Sequence, residues 1–524
     1  MPRINFLFRL MIALLLTSGA MAHASAQTGA ERCAALPSAQ LAMPAEAPTR
    51  IIKAELVAAA GTQPALCLVS GVVAPAVNFT LALPLEGWNE KFFQHGCGGS
   101  CGTARQYYCE QPLSRGYACI STDMGHSGPS REWIWGRDQQ ALVDFAFRST
   151  HVTALVGKAL VAGFYQDQPK KSYFYGCSTG GRQAMVEAER FPDDFDGIIA
   201  GGPIINQTGA AMQLLWTTLA NRDRDNREIV KEADVRRLHA AVLRQCDAKD
   251  GLRDGQLADP RSCDFDPAVL QCPAAQADQC LSPDQVAVVR KIYAGPHDSQ
   301  GKPLYTGGLA LGSELNWLGA FVSADGKPST DLGGEFMRHI GLAASVGPDW
   351  QAKQFDFDRD PQRFGLVEPY FSGSNPDLRK FKARGGKLIG FQGWNDPQIV
   401  PLNFLDFYQT VTRTMGGPQQ TRDFFRLFML PGTNHCTNDG VGADAIDYLD
   451  ALEQWVEQGK APEVLIGSHI ERSAPQRAAI AFPLPVGTKI GFTRPHYAYP
   501  GVARYKGKGD PNDAASFEAA PAKP

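Results

Sequence analysis

Short apolar stretches recur along the chain, most of them closing on a turn rich in glycine. Leu66–Val73 and Asn78–Leu83 alternate apolar and polar positions and predict early strands of a sheet, separated from the next by the turn Leu85-Glu86-Gly87-Trp88-Asn89. Tyr117–Thr122, Ser172–Tyr175 and Asp196–Gly201 predict further strands, and the stretch from Lys91 to Ser100 predicts a strand that ends in a Gly-rich loop. The stretch over 140–166 and one beginning near Gly181 predict helices. Strand and helix thus alternate as far as residue 205, which argues for a doubly wound, mostly parallel α/β sheet. From about Asn206 to residue 372 the pattern changes to helical segments (Ile229–Gln245, Ser282–Ala294) joined by long connections rich in Gly, Pro and Asp. Alternation returns with Lys387–Phe391 and Phe425–Leu430, followed by a helix over Ala443–Gly459 and a surface wrap from Arg494. The expected organisation is one sheet built from 27–205 and 373–524, with 206–372 inserted as a lid domain.

The extreme N-terminus reads differently. Arg3 and Arg9 precede the apolar run Leu10–Leu16 and then Ala24-Ser25-Ala26, the order of a cleaved secretory signal over residues 1–26. That run is too short to span a bilayer, so the mature chain is expected to be secreted or periplasmic and free of membrane. A net charge of −3 without a basic block argues against nucleic acid as a partner. Twelve cysteines, all beyond residue 26, suit an oxidising compartment. Spacing pairs Cys33 with Cys67, Cys246 with Cys263 and Cys272 with Cys280, and leaves three pairings open among Cys97, Cys101, Cys109 and Cys119.

The chemistry centres on Gly176-Cys177-Ser178-Thr179-Gly180, a G-x-S-x-G turn between a strand and a helix. Small residues at its ends let the backbones close, and the serine is pushed out at a helix N-terminus, where negative charge is favoured. A serine hydroxyl needs a base, itself oriented by a third group. Asp396, in Gly393-Trp394-Asn395-Asp396-Pro397, and His435, in Pro431-Gly432-Thr433-Asn434-His435-Cys436, each follow a late strand, where open α/β sheets build their sites. Cys177 precedes Ser178 and Cys436 follows His435. A disulfide between them, with Cα atoms about 5.5 Å apart, would hold the serine and the imidazole side by side. The loop His95-Gly96-Cys97-Gly98-Gly99-Ser100 is either a flexible turn or a source of oxyanion-binding N–H groups. His126, at a strand end, is either a base or a hydrogen-bonded structural residue. Cys246–Gln256 sets three carboxylates in a Gly-bent loop, which suits an oxygen-seeking cation such as Ca²⁺ or a solvated acidic turn.

Taken together, GCSTGGR, GWND, PGTNHC and the CDxxDGLxDG loop resemble the tannase/feruloyl esterase family, over roughly Cys33–Gly509. The resemblance implies an α/β-hydrolase core with a large lid and a triad of Ser178, Asp396 and His435. It also implies oxyanion donors at the N–H groups of Gly99 and Thr179, and the Cys177–Cys436 bridge. It further implies a lid Ca²⁺ held by the side chains of Asp247, Asp250 and Asp254 with backbone oxygens of Leu252 and Gln256. No organic cofactor is implied. The implied partner is a small aromatic ester, feruloyl or galloyl, with the aromatic slot sought among Trp317, Phe321 and Phe336. The family also contains a terephthalate half-ester hydrolase that uses a lid arginine, whereas Val322–Gly334 here offers only Lys327. A binding protein of the same fold without catalysis is the rival class, and the intact Ser, Asp and His argue against it.

Overall fold

The computed structural model describes residues 27–273, 279–324, 332–347, 349–365, 367–436, 440–471, 484 and 487–522. The expected signal and Lys327 lie outside the described residues. Nine strands form one sheet: β1 (Thr49–Val57), β2 (Leu66–Val73), β3 (Val77–Pro84), β4 (Lys91–His95), β5 (Ala118–Thr122), β6 (Lys171–Cys177), β7 (Gly197–Gly201), β8 (Lys387–Gly393) and β9 (Phe425–Leu430). Their order is β1-β2-β3-β5-β4-β6-β7-β8-β9. The first three strands and β5 run antiparallel, and β5, β4, β6, β7, β8 and β9 run parallel. This is the mostly parallel sheet of an α/β-hydrolase.

The parallel strands are apolar on both faces because both faces are covered. Neighbouring residues point to opposite sides. Phe92, Phe174, Ile198 and Leu388 enter one core with Val152, Leu160 and Phe164 of the helix Ser149–Tyr165, Met185 of Thr179–Arg190, and Phe404 and Val411 of Pro401–Thr414. Their neighbours Phe93, Tyr173, Ile199 and Ile389 enter a second core with Leu449, Leu452 and Trp455 of the helix Tyr448–Gln458. That last helix begins later than the expected Ala443. Asp447 caps it by accepting from Asp450 N at 3.1 Å, and Ala445 is held in a bridge to Ser468.

All described chain between β7 and β8 is free of named strands. Its helices Glu232–Cys246 and Pro283–Ala294 build their own cluster of Val235, Leu238, Val289, Ile292, Trp317 and Val322, while Met212 and Leu215 of the helix Gln207–Ala220 join the cluster that faces the main body. Phe336, Met337 and Ile340 pack against Trp133 and Phe145 of the main body. The tail differs from a simple wrap. β10 (Val464–Ile470) pairs with β11 (Ile490–Tyr497), and β12 (Gly501–Tyr505) with β13 (Phe517–Pro521). His496 on β11 donates Nε2–H to the Ala443 carbonyl at 2.7 Å, fixing the tail to the chain that follows the His435 loop.

Six disulfides cross the structure: Cys33–Cys67, Cys97–Cys101, Cys109–Cys119, Cys177–Cys436, Cys246–Cys263 and Cys272–Cys280. No helix among the described residues is long and apolar enough to cross a membrane.

Candidate active site

Between β6 and the helix Thr179–Arg190 the backbone turns within one residue. Ser178 sits at φ 63°, ψ −122°, a conformation that costs a non-glycine residue roughly 1–3 kcal/mol. The turn is held by Ser178 N–H donating to Gly201 O at 3.0 Å. A Cβ on Gly176 would lie 2.2 Å from Gly180 O, and one on Gly181 would lie 2.4 Å from Gly201 O. Glycine is therefore required on both sides of the serine, and Gly181 joins the two that the motif names.

The parallel register of β6, β7, β8 and β9 delivers the ends of these strands to one edge of the sheet. There His435 Nε2 lies 2.9 Å from Ser178 Oγ, and His435 Nδ1 lies 2.6 Å from Asp396 Oδ2. Asp396 is 1% exposed. Its Oδ1 accepts from the N–H groups of Gln398 (2.8 Å) and Ile399 (2.9 Å), and its Oδ2 accepts from Gln392 Nε2 (3.1 Å). These donors fix the carboxylate and leave Oδ2 facing the imidazole. With Nδ1–H donated to Asp396, Nε2 is the basic nitrogen and can accept the Ser178 proton. Gln392, Gln398 and Ile399 escape sequence reading, because a buried amide beside an acid has no signature short of the fold. The inserted segment also holds the Asp396 loop: Asn316 Nδ2 donates to Asn395 O at 2.8 Å, and Asn395 Nδ2 to Gly312 O at 2.7 Å.

The Cys177–Cys436 disulfide, with Cα atoms 5.8 Å apart, flanks this row, and Cys436 Sγ lies 3.7 Å from His435 Nε2. On the other side runs the glycine-rich loop. Gly99 has φ +63°, and a Cβ there would meet Ser130 O at 2.1 Å. Thr179 Oγ1 donates to Gly99 O at 2.6 Å, coupling the loop to the start of the elbow helix. Among the described residues the Gly99 N–H has no acceptor. The Thr179 N–H opens a helix, where an intrahelical partner is lacking. His126 supports this loop: its Nε2 lies 2.6 Å from Ser100 O and its ring stacks on Trp135. Burial holds its pKa below the ordinary histidine value, which suits a neutral structural ring.

Of the three aromatic candidates, Trp317 and Phe336 are core residues. Trp317 is 0% exposed and donates to Ser313 Oγ, while Phe336 packs edge-on against Trp133. Phe321 is buried too, but it lines a small cavity with Leu214, Thr218, Ala320, Pro397 and Gln398, the last two directly following Asp396.

In the acidic loop, Gly251 (φ +92°) and Gly255 (φ +80°) bend the chain so that Asp247 Oδ1 accepts from Asp254 N and Gly255 N. Burial first, then the Asp254 and Asp247 carboxylates, push Asp250 up to about 7, and burial also raises Asp247. Asp254 has Arg494 as a partner at 2.8 Å. The carbonyl oxygens of Leu252 and Gln256 accept no hydrogen bond among the described residues. Crowded carboxylates beside idle carbonyls fit a hard cation.

The family model described as tannase and feruloyl esterase matches residues 62–520. The chain belongs to that family. It is therefore a carboxylic ester hydrolase. It is 32% identical to an uncharacterized esterase of Xanthomonas campestris pv. campestris, over 99% of this chain and 95% of that one. It is 33% identical to the mono(2-hydroxyethyl) terephthalate hydrolase of Piscinibacter sakaiensis, over 88% of this chain and 86% of the relative. The crystal structure of feruloyl esterase B from Aspergillus oryzae superposes with a TM-score of 0.82 at 25% identity, covering 94% of this chain and all of the other.

Proposed function

We propose that this esterase is an exported serine hydrolase acting on esters of aromatic acids, hydroxycinnamic or hydroxybenzoic, through an acyl-enzyme. The observation that carries the reading is the continuous row Ser178 Oγ, His435 Nε2, His435 Nδ1 and Asp396 Oδ2, with contacts of 2.9 and 2.6 Å. Ser178 attacks the ester carbonyl as His435 takes its proton, and Asp396 orients and stabilises the imidazolium. The N–H groups of Gly99 and Thr179 receive the developing oxyanion, each contributing about 3–4 kcal/mol. His435 then protonates the departing alcohol and activates the water that releases the acid.

The inserted segment serves as the lid, seated on the Asp396 loop through Asn316 and Gly312. Ca²⁺ fits the side chains of Asp247, Asp250 and Asp254 with the backbone oxygens of Leu252 and Gln256. Bound there, it neutralises the clustered carboxylates and takes no part in the ester chemistry. Support for the aromatic acyl group comes from the names of relatives, feruloyl esterase B and the terephthalate half-ester hydrolase. Export is supported by the six disulfides. A panel of methyl ferulate, methyl gallate and the terephthalate half-ester, run on wild type and Ser178→Ala, tests the reading. Turnover of one of the first two that vanishes in the variant supports it. Preference for the terephthalate half-ester moves the substrate class, and turnover surviving in the variant removes the nucleophile.

A further inference from the structure

A second cluster of charge lies further along the elbow helix. Glu187 of the helix Thr179–Arg190 is 0% exposed, and neither of its carboxylate oxygens has a hydrogen-bond partner. It points at His151, on the helix Ser149–Tyr165, and at Asp194, in the turn before β7. One ligand-capable atom from each lies within 4.8 Å of the others, the one such group among the described residues. The His151 ring is fixed by stacking on Phe191, with centroids 4.0 Å apart and 10° between planes. Its Nδ1 lies 2.6 Å from Asp194 Oδ2, and its Nε2 faces the Glu46 carboxylate at 3.5 Å. The neighbouring cations use hydrogen bonds on backbone oxygens: Lys158 donates to the Asp194 carbonyl, and Arg384 to the carbonyls of Pro192 and Phe195. A fully buried carboxylate that meets no donor and faces a second carboxyl group, Asp194, is costly unless a proton or a cation is shared between them.

We propose that His151, Glu187 and Asp194 bind a divalent transition metal of the zinc type, which staples the elbow helix to the helix Ser149–Tyr165 and to the turn before β7. One imidazole with two carboxylates suits Zn²⁺ or Mn²⁺ and differs from the all-oxygen loop at Asp247–Gln256, which suits Ca²⁺. Nδ1 and the two carboxylates are the ligands. Nε2–H then faces Glu46, the kind of outer partner that metal-bound imidazoles ordinarily have.

The test uses the full mature chain, stripped with a chelator, dialysed, and kept in excess CaCl₂ so that the acidic loop is not in play. Titration with Co²⁺ is followed by visible d–d absorption, and thermal unfolding is measured with and without Zn²⁺. Wild type is expected to take one equivalent of Co²⁺ with a d–d band, and Zn²⁺ at 100 times its Kd to raise Tm by about 3 °C. Glu187→Gln, which removes an unpaired buried charge and is expected to fold, should lose the band and the Zn²⁺ response. Asp250→Asn should keep both. Absence of a band and of a Zn²⁺-dependent Tm shift in wild type would overturn the site, leaving Glu187 as a buried, protonated acid. So would a band that persists unchanged in Glu187→Gln.

Discussion

Replacing both Cys177 and Cys436 by alanine isolates what the sulfur tether contributes. The bridge joins residues 259 positions apart. The chain-entropy relation for a loop of that length gives ~5 to 6 kcal/mol of stabilisation, an upper estimate because unfolded chains keep some structure. Against a usual total of about 5–15 kcal/mol, the variant should unfold at distinctly lower denaturant concentration. A local effect comes on top. Cys436 has φ 56°, and its Sγ lies 3.7 Å from His435 Nε2, so losing the bridge frees the loop that aims the imidazole at Ser178. A displacement of about 1 Å at such a contact costs on the order of 10²-fold in rate. The assay is guanidinium denaturation followed by tryptophan fluorescence, with kcat for methyl ferulate measured where the variant remains folded. A folded variant with wild-type kcat would refute the claim that the disulfide positions the base. A wild-type denaturation midpoint would refute the entropic argument.

Asp396→Asn should keep the fold, because Oδ1 still accepts from Gln398 and Ile399, yet its amide NH2 then faces His435 Nδ1 and lowers kcat by about 10⁴-fold through the wrong imidazole tautomer; steady-state kinetics check this. His496 is buried with its pKa lowered to about 4, so the unfolded chain binds more protons between about 4 and the ordinary 6.5. Its contribution, about 3 kcal/mol, is present in full above 6.5 and is lost as pH falls through that window; His496→Gln should flatten the acid limb of a stability-versus-pH curve. Ca²⁺ added back to chelator-stripped protein should raise Tm without altering the chemistry at Ser178, and Asp250→Asn should abolish that Ca²⁺ response.

The sheet was largely legible because its strands are short, apolar and bounded by glycine turns. Ile198–Ile199 and Phe92–Phe93 lie in such stretches, and in the sheet their neighbouring side chains enter opposite cores. The elbow was legible for a steric reason, since Gly176 and Gly181 each abut a carbonyl that a Cβ would strike. Elsewhere local pattern gave out. Asp396 is held by amides from Gln392, Gln398 and Ile399, a convergence that only the end of β8 and its loop create. Trp317 and Phe336 look like slot residues by type, but Trp317 fills the insertion's own core and Phe336 seats the insertion on Trp133 and Phe145 of the main body. Spacing left three pairings among Cys97, Cys101, Cys109 and Cys119; folding the glycine loop against Ser130 brings Cys97 to Cys101. The pairing of β10 with β11 depends on partners far apart in the chain, which the tail alone does not reveal.

The most direct test is covalent. After incubation with a fluorophosphonate, peptide mass spectrometry of the disulfide-intact protein should find a single adduct, on Ser178, together with complete loss of aromatic-ester hydrolysis, and His435→Ala should label far more slowly. Ester hydrolysis that continues in Ser178→Ala, or an inactivating adduct on a different residue, would contradict the account.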